Sequence, residues 1–151
     1  MNAIAIAIPQ VTIEALEDGT LDAEQFDHEA HVYLAWLYLQ RYPLHEATAR
    51  FIAALKRLTT QLGIPGKYHE TISWFFMLLI EERRNAQKTD DWHLFYRDQS
   101  DLFARGDDNI LSRYYSRELL GSDRARHSFM LPDKLAQKNQ ARKDPRSVLP
   151  Y

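Results

Sequence analysis

Residues 72–80 read Ile72-Ser73-Trp74-Phe75-Phe76-Met77-Leu78-Leu79-Ile80, apolar at every position except Ser73. A helix that is apolar all round belongs in the middle of its domain, because a surface helix keeps a polar stripe. The run lies inside a predicted helix over 67–87, entered through Ile64-Pro65-Gly66, a short breaker loop. Upstream, Leu44, Ala47, Phe51, Leu55, Leu58 and Leu62 recur at helical intervals and predict an amphipathic helix over 43–62. Pro43 suits its first turn and Gly63 its C-terminal stop. Further upstream, Asp22 followed by Gln25 reads as a capping pair that opens a helix over 23–42, again almost wholly apolar from Val32 to Leu39.

Two shorter helices are predicted beyond Thr89, over 91–105 and 108–120, with a break at Gly121 and a further helical turn toward Met130. The expected fold is all-α: a single-domain helical bundle of five or six helices, the first and third central. The domain organisation read from the pattern is an N-terminal arm over 1–20, the bundle over 21–132 and a basic tail over 133–151. The arm alternates alanine and isoleucine from Ala3 to Ile8, which suggests a short extended segment that docks on the body or joins two copies as a homodimer. The tail carries Lys134, Lys138, Arg142, Lys143 and Arg146 against Asp133 and Asp144, and reads as extended or unstructured.

Composition narrows the chemistry. The chain has 151 residues, 45% hydrophobic and 26% charged, which suits one soluble globular domain. A formal net charge of −2 gives no basic footprint for nucleic acid, and the basic tail lacks interleaved aromatics. No apolar run approaches a membrane span. Cysteine is absent, so any metal would be held by nitrogen and oxygen, and a reducing, cytoplasmic setting is expected.

The six histidines then divide by topology. Short loops make successive helices antiparallel. The starts of the first and third helices share one end, and a second helix about 30 Å long separates that end from the other. His28, His31 and His69 therefore belong to the near end and His45 and His93 to the far end. His127 stays unplaced. His28 and His31 are three apart and project from one helical face, with Glu24 one turn before His28 and Asp27 one turn before His31. Two imidazoles on one helix, a third from a facing helix and a nearby carboxylate form a donor set for a divalent transition metal: Zn, Fe(II), Ni or Cu. The expected ligands are His28, His31, His69 and Glu24, with Asp27 as the alternative carboxylate. The same three histidines could instead form a polar or ligand-binding cluster without metal. No His-Glu-x-x-His pattern occurs, which argues against a zincin.

Glu70 is the candidate catalytic base, although a carboxylate in the first turn of a helix also serves the helix dipole. Asp98 and Asp101 could add carboxylates, and Arg113 could clamp a substrate anion, but exposed charges and surface ion pairs are the commoner roles for such residues.

Phe26-Asp27-His28-Glu29-Ala30-His31, followed by Ala35-Trp36, together with Lys67-Tyr68-His69-Glu70-Thr71 and the pair Tyr114-Tyr115, resembles an uncharacterised family of small helical bacterial proteins marked by F-x-H-x-x-H and K-Y-H-E-T. The resemblance spans about 21–132. It implies that the three histidines and Glu70 belong together, and supplies no reaction, substrate or cofactor. The functional expectation is a metal-dependent enzyme, hydrolase or oxygenase, acting on a small molecule. The rival is a non-enzymatic metal- or ligand-binding partner or regulatory protein. Neither nucleic acid nor membrane is an expected partner.

Overall fold

The computed structural model describes residues 8–134. Residues 1–7 of the expected arm and 135–151 of the expected basic tail lie outside the described residues, and the rest of the arm includes a short helix packed on the core. The fold is all-α, and no strand occurs among the described residues.

After Thr12, whose side chain caps Ala15 N–H, a short α1 covers Ile13–Asp18 and buries Ile13 and Leu16. Three long helices follow: α2 over His28–Arg41, α3 over Leu44–Gln61 and α4 over Glu70–Gln87. The remainder is a string of short turns: α5 over Trp92–Asp98, α6 over Leu111–Tyr114, α7 over Arg117–Leu120 and α8 over Asp123–His127, with 3-10 turns at Ser100–Phe103 and Gly106–Asp108. The predicted helices over 91–105 and 108–120 are thus each divided, and eight α-helices stand among the described residues where five or six were expected.

The centre is where the apolar runs put it. α2 and α4 pack on each other and both pack on α3. Val32, Leu34, Ala35 and Tyr38 from α2, Phe51 and Ala54 from α3, and Met77 and Ile80 from α4 are all fully buried. At about 25 cal/mol per Å² of apolar surface removed from water, such side chains supply most of the drive to fold. The α4 run is not covered on every side, however. Leu78 is 40% exposed, and Trp74, one turn earlier, is half-buried with its ring 6.3 Å from Phe129.

The last segment closes the far face of α4. The buried Thr71 hydroxyl lies 2.6 Å from Ala125 O and 2.8 Å from Ser128 O, and it accepts from Met130 N–H. Tyr115 donates to Met130 O at 2.7 Å, and burial pushes its phenol up to about 12. Asp133 accepts from the backbone and hydroxyl of Ser116, and Lys134 N–H donates to Tyr114 O. No helix among the described residues is long and apolar enough to cross a membrane.

Candidate functional site

The start of α2 differs from the expected continuous helix. Asp22 caps only a 3-10 turn, Ala23–Gln25, by accepting from Glu24 N–H. The chain leaves helical geometry at Phe26 (φ −95°, ψ 72°). Asp27 then starts afresh as the N-cap of α2, accepting from Ala30 N–H at 2.9 Å. Glu24 and His28 are therefore not one turn apart on a shared helix. Glu24 is exposed and Asp27 is committed to its cap. His28 and His31 do share the first turn of α2.

α4 likewise begins later than expected. Pro65–Lys67 forms a 3-10 turn, and His69 is the N-cap of α4 in extended geometry. Its Nδ1 accepts from Ile72 N–H at 3.2 Å. The ring proton is thereby placed on Nε2, which donates to Leu120 O at 2.8 Å. An imidazole does here what Ser, Thr, Asp or Asn does at most helix starts.

His28, His31 and His69 all line one cleft of about 490 Å³ between the starts of α2 and α4 and the end of α3. Its walls are mostly apolar: Phe26 from the α2 approach, Leu55, Leu58 and Leu62 from α3, Ile64 and Tyr68 from the loop, and Ile72 from α4. Leu62 and Ile64 are 44% and 45% exposed and form the rim. His45 and His93 do not line it. A mostly apolar concavity with a few converging polar groups is the usual form of a small-molecule site.

The three imidazoles differ in what they have left to offer. Both nitrogens of His69 are engaged. His28 Nε2 donates to Leu102 O at 2.8 Å, and its ring lies edge-on to Phe76 at 5.4 Å. His31 packs against Phe26, Phe51 and Phe76 at 5.8, 5.2 and 6.2 Å. Its Nε2 is buried without any hydrogen-bond partner. Burial pushes the His31 imidazole down to about 4, and the neighbouring His28 adds to the depression. The apolar surroundings withhold the water that an imidazolium needs, so the ring is neutral at pH 7.

These hydrogen bonds decide how the residues fit a metal. Among the described residues no group of three His, Cys, Asp or Glu side chains is arranged to hold one. His69 has no free lone pair, Glu24 lies outside the cleft lining, and only His31 keeps an uncommitted buried nitrogen. As arranged, the set does not match the coordination sphere expected from spacing.

The other candidates have structural partners. Glu70 accepts from Tyr68 OH at 2.5 Å and is not part of the cleft lining. Burial first, and then this bond, raises the Tyr68 phenol well above its ordinary range. Asp101 forms a two-pronged pair with Arg83 at 2.8 and 2.9 Å, and that guanidinium holds its carboxyl below the usual range. Arg113 approaches the same carboxylate at 3.9 Å, and Asp98 pairs with Arg97.

Sequence reasoning missed the α3 wall and the rim. Leu55, Leu58 and Leu62 were indistinguishable from a core stripe. The available signal was Ile64, an apolar residue stranded in a breaker loop beside Gly63, whose φ of +74° makes the turn. No family model, curated protein or solved structure matches the chain.

Proposed function

We propose that this chain binds a small, mainly apolar molecule in the cleft between the starts of α2 and α4. The observation that carries this reading is the pairing of an apolar concavity of about 490 Å³ with His31, a neutral imidazole whose Nε2 has no partner. Leaving a buried polar atom unpaired costs about 1–3 kcal/mol, a cost that is retained where a ligand or reaction uses the group. The absence of cysteine suits a cytoplasmic setting for such a protein.

The test is an imidazole-resolved NMR titration with 1-decanol as the probe, beside Thr59→Trp, which places an indole at the cleft wall. Saturable movement of the His31 and His28 ring signals, abolished in Thr59→Trp, supports the reading. Unmoved signals at saturating decanol refute it.

A metal-dependent enzyme is the second reading, and one observation favours it: His28 and His31 share a helical turn at the cleft and His31 Nε2 is uncommitted. Zn, Fe(II), Ni or Cu would suit such donors. This reading requires His69 to give up its bonds to Ile72 and Leu120, and Glu70 to leave Tyr68 before acting as a base. Metal content of untagged protein, compared with a His28→Ala, His69→Ala double variant, tests it. Equal content in both excludes these residues as ligands.

A further inference from the structure

The proposed ligand has two ends, and the cleft treats them differently. At the inner end the His31 ring packs against Phe26, Phe51 and Phe76. A charged group is disfavoured among these rings, which offer it neither water nor a counter-charge.

The rim is different. Lys67 lines the mouth. Lys56 Nζ lies 5.2 Å from the centre of the Tyr68 ring, itself part of the wall. Arg126 reaches across from α8 and donates to Gly66 O at 2.8 Å, the residue before Lys67. None of these three cations forms an ion pair among the described residues. Asp27, which lines the cleft and caps α2, and Glu70, which accepts from Tyr68, keep their charge, but neither forms an ion pair with these cations. A chain with net charge −2 thus gathers three unpaired positive groups around the loop that rims its apolar cleft.

Resting on the reading of the cleft as a ligand site, we infer that its ligand is an amphipathic carboxylate: an aliphatic body enclosed by Phe26, Leu55, Leu58 and Ile72, with the carboxylate at the rim facing Lys67 and Lys56. A cationic rim attracts the anion during approach and forms charge-assisted hydrogen bonds on arrival, while the inner wall rejects a charge at the other end.

The experiment compares decanoate with 1-decanol by isothermal titration calorimetry at pH 7.5, using the wild-type chain and a Lys56→Gln, Lys67→Gln double variant. Both substitutions lie at exposed positions, so the fold is retained. The expected result is that decanoate binds about tenfold more tightly than decanol, the worth of one or two charge-assisted hydrogen bonds. In the double variant that preference collapses toward parity, because decanoate loses more affinity than decanol does. In the wild type it shrinks as salt rises from 0.05 to 0.5 M, as screening of exposed charges requires. Equal binding of the two amphiphiles to the wild type overturns the carboxylate assignment and leaves the ligand site standing. A preference that survives in the double variant also overturns it. Binding of neither amphiphile removes the ligand site itself.

Discussion

Lowering the pH from 7 to 4 should weaken the fold through His31. Its imidazole is pushed from the ordinary 6.5 down to about 4 in the folded chain. Between those values the unfolded chain holds a proton at this position that the folded chain does not. Stability therefore rises with pH across the window, is fully present above about 6.5 and is lost progressively as pH falls toward 4. A gap of about 2.5 pH units at 1.36 kcal/mol per unit sets an upper figure of about 3 kcal/mol. His31 lines the cleft, so water entering from the mouth softens the penalty, and a loss of about 2 kcal/mol is the expected size. The assay is urea unfolding from pH 7.5 to 4, followed by fluorescence of the buried Trp36 and Trp92, on wild type and His31→Leu. Carboxylates that titrate at the acid end act alike in both proteins, so the difference between the two stabilities isolates His31. That difference should move by about 2 kcal/mol in favour of the variant as pH falls. A difference constant to within about 0.5 kcal/mol would refute the buried, unpartnered placement of the ring.

His28→Gln removes a like-charge neighbour, so NMR titration should show His31 taking up its proton at a higher pH than in wild type. An unchanged or lower midpoint counts against the two rings sensing each other. His69→Ala takes away both the α4 cap and the bond to Leu120, and should cost about 2 kcal/mol in urea unfolding. His69→Asn keeps a capping oxygen and should recover about half, whereas equal losses would deny the capping role. Thr71→Val strips a buried hydroxyl shared by Ala125, Ser128 and Met130, with an expected cost of about 2 kcal/mol. The same change should also speed amide hydrogen exchange in α8, and unchanged exchange there would show that Thr71 does not hold the segment down.

The central helices were readable because their residues answer to local periodicity. The apolar runs at Val32–Leu39 and Ile72–Ile80 and the stripe through Phe51 and Leu55 needed only a partner face, and each found one. The helix starts were harder. Asp22 and Asp27 both suit an N-cap, and the chain uses both in succession, with Phe26 between them. Sequence offers no means of ranking two adequate caps five residues apart. The predicted helix over 108–120 divided for the same reason: Ser116 caps a new turn, accepting from Leu119 N–H. A serine in an apparently continuous helix does not announce this. The role of His69 was the least legible. Histidine is an uncommon cap, and the acceptor that fixes its ring, Leu120 O, lies 51 residues downstream. Spacing brought three imidazoles together but carried no information on which of their nitrogens were already engaged.

The carbonyls that anchor two of the imidazoles bear on how the molecule is made. His28 waits for Leu102 and His69 for Leu120, partners 74 and 51 residues later in the chain. The apolar walls of the cleft are complete once α4 has been made, yet His28 stays unanchored until the Ser100–Phe103 turn follows and His69 until α7 does. During that interval the nascent chain presents a greasy cavity with loose imidazoles. Docking of the second half, which also adds Phe95, Leu102 and Tyr115 to the core, is the event that turns the cavity into a defined site.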